Sequence, residues 1–135
     1  MLKEGGFSIQ TRVRLSETDA LGVVYYGQYF TYFDMSRLEM LRSIGVTLAF
    51  LRKRKLGFVA ADASCRFSES ARFDELLSLG VKVSRIGGSS VTYSHRVRRG
   101  SKTIAEGKVT DVLVDEDGKP VQIPTDIRAR LGRYS

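Results

Sequence analysis

The sequence predicts an α+β fold in which helix packs on one face of an antiparallel sheet of about five strands. Three observations carry this. Residues 7–15 alternate apolar and polar side chains, residues from about Gly27 to Ile44 switch to a helical period, and the chain after Gly57 returns to alternation broken by turn residues.

The first strand puts Phe7, Ile9, Val13 and Leu15 on one side and Ser8, Gln10, Arg12 and Arg14 on the other, and residues 16–22 follow as a polar loop. In the long helix Phe30, Phe33, Leu41 and Ile44 share one stripe, with Leu38 and Met40 on its edges and Gly45 as its stop. A shorter helix over 47–55 ends in basic residues that suit the negative pole of the helix dipole. Four strands follow over 58–68, 76–86, 90–98 and 103–115, separated by Gly87-Gly88 and Gly100. In the first of these Val59, Ala61, Ala63, Cys65 and Phe67 share a face. Asp117-Gly118 signals a hairpin into a last short strand through Val121 and Ile123, closed by Pro124. A C-terminal helix then starts with Thr125 as its candidate cap. A sheet wrapped around the long helix leaves strand edges exposed, so a dimer is the expected assembly.

At 135 residues, with no Ser/Pro-rich linker, residues 1–135 form one expected domain. The 42% hydrophobic and 27% charged content excludes a disordered chain. No apolar run approaches the roughly 20 residues of a membrane span, and the N-terminus has no apolar leader, so a cytoplasmic, soluble protein is expected. Cys65 and His95 are the only residues of their kinds, which excludes an intrachain disulfide and a zinc site built from them and leaves acid-base work to carboxylates. The net charge of +7 points to an anionic partner: nucleic acid, a phosphorylated ligand, or an acidic protein.

Candidate chemistry is densest in residues 18–29. Asp19 precedes a helix start, whose free backbone N–H groups suit a developing oxyanion, and Gly22 and Gly27 permit close backbone approach. An Asp in this place is also an ordinary cap or turn residue, and Tyr25, Tyr26 and Tyr29 are equally core aromatics by spacing alone.

The segment ETDALGVVYYGQYFTYFDMSRLEMLRSIG resembles the signature of the 4-hydroxybenzoyl-CoA thioesterase-like family of hotdog-fold acyl-CoA thioesterases. The resemblance implies a hotdog fold over the whole chain and hydrolysis of an acyl-CoA to a free carboxylate and coenzyme A, with no metal or redox cofactor. It places the catalytic carboxylate on Asp19, as nucleophile or general base, and the oxyanion-binding N–H near Tyr26 and Gly27. Gly22, Val24 and Tyr29 join as substrate-binding candidates. Glu17 keeps an acidic residue two before Asp19, whereas Leu21 stands where relatives carry a small residue. Gly87-Gly88-Ser89-Ser90 reads by its own chemistry as a flexible hairpin. The resemblance instead puts Ser89 and Ser90 near the coenzyme A arms, with Arg66, Arg72 or Arg85 for its phosphates.

Other charged residues read as structural. Arg96, Arg98, Arg99 and Lys102 suit a solvated sheet face, Asp34 pairs with Arg37 inside the helix, and His95 belongs to an apolar strand face. The expected assembly is a homodimer or homotetramer. The alternative function is a non-hydrolytic module binding acyl-CoA or acyl carrier protein; with no nucleic-acid motif in the chain, nucleic acid is not an expected partner.

Overall fold

The computed structural model describes residues 6–135; the sequence reading of residues 1–5 as lacking an apolar leader lies outside them. The elements are β1 (Phe7–Arg12), α1 (Gln28–Ser43), α2 (Leu48–Lys53), β2 (Gly57–Phe67), β3 (Leu76–Ile86), β4 (Ser90–Arg99), β5 (Lys102–Val114) and α3 (Thr125–Leu131). The strands form one antiparallel sheet in the order β1-β3-β4-β5-β2, so β1 and β2 are its edges. Leu77, Leu79, Val81 and Val83 of β3 and Val91, Tyr93, His95 and Val97 of β4 face inward and are buried.

The 16-residue α1 lies on that inner face. Its buried stripe runs through Tyr29, Tyr32, Phe33, Ser36, Arg37, Met40 and Leu41. The stripe is therefore rotated from the sequence expectation: Met40 is central, Phe30 is only half-buried and Leu38 is 46% exposed. The polar Ser36 and Arg37 hid it, because each turns inward to a partner. Gly45, at φ +77°, ends the helix in the left-handed conformation that glycine adopts without penalty.

The other differences have local causes. β1 stops at Arg12 because residues Leu15–Glu17 form a 3-10 turn; Val13 stays buried, but Leu15 is 70% exposed. In β2 the register shifts between Ala60 and Asp62, so Val59 pairs with outward Val112 while Ala60 pairs with inward Asp111. The last hairpin forms no strand beyond an isolated Val114–Pro120 bridge, since proline has no N–H to continue the ladder. Thr125 is the first helical residue of α3, and Pro124 occupies the cap position without a side-chain hydrogen bond. Thr47 does cap α2, its hydroxyl accepting from the Phe50 amide at 3.1 Å.

A buried polar group lies between α1 and the sheet. Arg37 pairs with Asp34 and, at 3.6 Å, with the buried Asp111 of β5, and its Nη1 donates to His95 Nε2 at 3.3 Å. His95 stacks on Phe33 with ring centroids 4.4 Å apart, and its Nδ1 finds no partner among the described residues. Burial and the neighbouring Arg37 guanidinium push the His95 pKa down to about 3 from its ordinary 6.5.

Because the unfolded chain takes up that proton first, stability is full above pH 6.5 and falls as the pH drops toward 3. The slope from this one group is up to about 1.4 kcal/mol per pH unit. His95→Gln, neutral throughout, is expected to remove about one proton's worth of that acid slope in urea unfolding run at stepped pH. An unchanged slope would mean that His95 is already charged in the fold.

Candidate active site

Glu17 organises the loop before α1. Its carboxylate is buried and accepts from the Arg14 amide at 3.0 Å, the Arg14 guanidinium at 3.0 Å and the Tyr32 hydroxyl at 2.8 Å. Burial alone would raise its pKa, but these bonds outweigh it and hold the group below the usual glutamate value. The Glu17 carbonyl also accepts from the Tyr25 amide at 2.9 Å, closing the loop at its other end. One acid thereby ties β1, the loop and the first turns of α1 together.

Asp19 sits inside this closed loop and is exposed. Its amide donates to the Val23 carbonyl at 2.9 Å, and its Oδ1 accepts from the amides of Leu21 at 2.9 Å and Val23 at 3.4 Å. This Asx-type turn needs the left-handed Gly22, at φ +80°. The second carboxylate oxygen, Oδ2, makes no hydrogen bond among the described residues. At the far end of the loop the amides of Gln28, Tyr29 and Phe30 reach back to the carbonyls of Tyr25, Tyr26 and Gly27. No acceptor among the described residues meets the amides of Tyr26 and Gly27, and no side chain caps α1. A carboxylate oxygen and a pair of open helix-start donors thus flank one exposed loop.

The remaining candidates separate into groups. Val24 is buried, its amide donating to the Ala71 carbonyl at 2.8 Å. Tyr29 is a core residue, with its ring against Tyr32 and Phe67, whereas Tyr25 and Tyr26 are 50% and 65% exposed and lie against each other. Leu21 is 81% exposed at the loop tip, and the backbone of Arg72 bridges to Val23 of the same loop. Arg66 is exposed on the outer face of β2.

Arg85, Ser89 and Ser90 are not brought to Asp19 within one chain. They lie at the other end of β3, 11 residues and roughly 35 Å away. The Gly87–Ser90 turn is no free hairpin: the Arg128 guanidinium donates to the Gly87 carbonyl at 3.0 Å, and Ile123 N–H donates to the Gly88 carbonyl at 2.9 Å. That end of the molecule also holds a cavity of about 550 Å³ between α1, α2 and β2, with walls that include Leu38, Leu41, Leu48 and Phe58 and a charged end at Arg37 and Asp111. The sequence patterns did not signal it, because its lining comes from separate elements. Among the described residues no cluster of His, Cys, Asp or Glu is placed to hold a metal ion, and no helix is long and apolar enough to cross a membrane.

The profile of the thioesterase superfamily matches residues 21–106, more than half of the chain, beginning two residues beyond Asp19. The chain belongs to the thioesterase superfamily. It is 31% identical over 128 residues to the acyl-CoA thioesterase YbgC of Haemophilus influenzae, a match covering 93% of this chain and 94% of that one. The fold matches a probable thioesterase from Bartonella henselae with a TM-score of 0.84 at 32% identity, covering 88% of this chain and 99% of that one. It also matches a hypothetical protein from Aquifex aeolicus with a TM-score of 0.88 at 29% identity, covering 93% and 98%. The sheet curled on one central helix is the hotdog fold of this superfamily.

Tyr32→Phe removes the hydroxyl that Glu17 accepts from and leaves a buried carboxylate one donor short. Urea unfolding at neutral pH should show a loss of about 2 kcal/mol. An unchanged midpoint would show that Arg14 alone holds Glu17.

Proposed function

We propose that this chain is a cytoplasmic acyl-CoA thioesterase, a single hotdog domain over residues 1–135. The supporting observation is the Asp19 loop: a carboxylate with one oxygen committed to its turn and the other open, in the same loop as the uncommitted Tyr26 and Gly27 amides, in a member of the thioesterase superfamily.

In the nucleophilic route Oδ2 of Asp19 bonds to the thioester carbonyl carbon while the Tyr26 and Gly27 amides receive the oxyanion. The C–S bond breaks, coenzyme A leaves as thiolate and is protonated by solvent, and water hydrolyses the mixed anhydride to release the carboxylate. In the general-base route Oδ2 takes a proton from water as that water attacks the same carbon. Either route consumes only water. The alternative function, a non-hydrolytic module for acyl-CoA or acyl carrier protein, is favoured by one observation: Asp19 already serves its own turn, so a carboxylate there has a structural use without catalysis.

Asp19→Asn separates these functions, because the amide oxygen keeps the turn's acceptor. Thiol release from short, long and aromatic acyl-CoAs should be lost by about a thousandfold or more with the melting temperature nearly unchanged. Full turnover in the variant would sink the assigned role, and no release from any wild-type assay would favour the binding module. Single turnover in oxygen-18 water then tests the nucleophilic route, since label on Asp19 requires an anhydride opened by water at the Asp19 carboxyl carbon, whereas the general-base route labels only the released carboxylate.

The split of candidates between the two ends of the sheet supports a two-chain site. Antiparallel pairing of two copies along the open β2 edge sets the Phe67 end of one beside the Gly57 end of its partner. That turns the partner's cavity, and its Ser89–Ser90 turn, toward the loop carrying Asp19. Of the expected substrate contacts, Gly22 then comes from one copy and Arg85, Ser89 and Ser90 from the other, whereas buried Val24 and Tyr29 support the loop from beneath and Arg66 lies on the outer face. Light scattering at assay concentration is expected to give a homodimer or homotetramer of the 15.1 kDa chain, and a fully active monomer would overturn this arrangement.

A further inference from the structure

Residues 68–75, between β2 and β3, form the bed on which the Asp19 loop rests. The Ala71 carbonyl accepts from the Val24 amide at 2.8 Å, and the Arg72 backbone bridges to Val23. The Tyr29 hydroxyl lies against the Ala71 backbone as well. Val24 and Tyr29 stand on either side of the open Tyr26 and Gly27 amides, so residues 71–72 hold the chain both before and after them. The ends of the segment are tied by backbone bonds: the Ser68 amide donates to the Ile104 carbonyl at 2.8 Å and the Asp74 amide to the Val13 carbonyl at 2.9 Å. Its middle is held by side chains that meet at Arg99, the last residue of β4. Arg99 Nη1 donates to the Ser70 carbonyl and to Glu75 Oε1, both at 2.9 Å, and its Nη2 donates to Glu69 Oε1 at 2.8 Å. Glu75 Oε1 also accepts from the Arg72 amide at 2.8 Å. One guanidinium thus holds three residues of the segment directly and Arg72 through a shared carboxylate oxygen, which the fork of an arginine can do and the single ammonium of a lysine cannot. Its neighbours in the basic run do less: Lys102 pairs with Glu69 alone, and Arg96 pairs with Glu106 on β5.

We propose that Arg99 is a positioning residue for thioester hydrolysis: resting on the role of Asp19 given above, it sets the Asp19 carboxylate against the Tyr26 and Gly27 amides by fixing residues 70–72 beneath the loop. It makes no hydrogen bond to the loop itself and acts only through that segment. Stability and rate report this role differently. The Arg99 side chain is 32% exposed, as is that of Glu75, and ion pairs so open to water contribute little to folding. A displacement of about 1 Å between reacting groups, by contrast, costs on the order of a hundredfold in rate. Loss of Arg99 therefore falls on turnover, while KM holds, because the expected coenzyme A contacts at Arg85, Ser89 and Ser90 lie at the other end of the sheet.

The test compares the wild-type chain with Arg99→Ala, Arg99→Lys and Arg96→Ala, the last removing a neighbouring β4 ion pair outside the catalytic loop and its supports. With the acyl-CoA that the wild-type chain hydrolyses fastest, kcat should fall more than about tenfold in Arg99→Ala and less in Arg99→Lys, and stay at the wild-type level in Arg96→Ala, with KM within about twofold throughout. Guanidinium ion well below denaturing concentration should restore part of the Arg99→Ala rate, and sodium chloride at the same ionic strength should not. Wild-type kcat in folded Arg99→Ala, a loss confined to KM, or a loss lessened by neither lysine nor guanidinium overturns the proposal. Hydrogen exchange at the Val24 amide, whose acceptor is Ala71, reads the tie without turnover. It should be faster in Arg99→Ala than in the wild-type chain and Arg96→Ala, and an unchanged rate also overturns the proposal. If Val24 exchange responds as expected but Asp19→Asn keeps full turnover, the role of Asp19 falls and the tie between Arg99 and the loop stands.

Discussion

The seating of α1 on the sheet depends on a missing side chain at Gly107. A Cβ there would lie 2.2 Å from the Ser64 carbonyl oxygen and 2.6 Å from the Phe33 ring, both closer than atoms approach. Phe33 fills the space instead and stacks on His95. That single close contact sets the height of the helix, and the rest of the helix's inner stripe follows from it. One turn along, Arg37 comes within reach of Asp111 and His95, and one residue back Tyr32 comes within reach of Glu17. A bulkier residue at 107 would lift the helix and break polar contacts that lie on either side of it.

Those polar contacts are costly unless complete, since a buried charge without partners costs several kcal/mol. Glu17 is nearly complete, with three donors, and it therefore acts as a rigid tie between the loop and the helix. The Arg37 group is less so, because the Tyr93 hydroxyl and His95 Nδ1 have no partner among the described residues. The contrast has a functional sense. The loop that holds Asp19 is the more firmly tied, its anchoring acid being the better satisfied of the two; a fixed geometry there suits the catalytic role proposed for Asp19.

Most of the fold was legible because strand and helix periods are local signals. The misses came from short-range turn chemistry and from partners on distant strands. Leu15 keeps the alternation of β1, but a carboxylate two residues later folds the backbone into a turn. Val59 fits the alternation of β2, yet an extra residue at 61 moves it to the outer face, and composition does not mark a bulge. The helix stripe was misplaced because Arg37 counts as polar in a pattern and as core in the structure, where Asp111 from a distant strand neutralises it. In the candidate site, Asp19, Gly22, Tyr26 and Gly27 were grouped together because they lie within nine residues of one loop. Glu17 was noticed only for its charge, and its partner Tyr32 lies a helix turn inside α1. Ser89 and Ser90 were grouped with Asp19 by resemblance, and only the strand direction shows them at opposite ends of the sheet.

That separation has a consequence for how such a chain changes specificity. The Asp19 loop is held by Glu17, Gly22 and Tyr32, and none of these residues lines the cavity at the other end. The cavity walls, including Leu38, Leu48 and Phe58, make no hydrogen bond to the loop. Substitutions in the walls therefore alter the size of the pocket without disturbing the turn that presents the carboxylate. In the two-copy arrangement proposed above, the Asp19 loop and the cavity beside it belong to different copies and are coupled only through the pairing of the strands. A chain built this way keeps its chemistry constant while the volume beside it varies, as long as β2 keeps an unpaired edge and small inward residues such as Ala60 and Ala63 beside it.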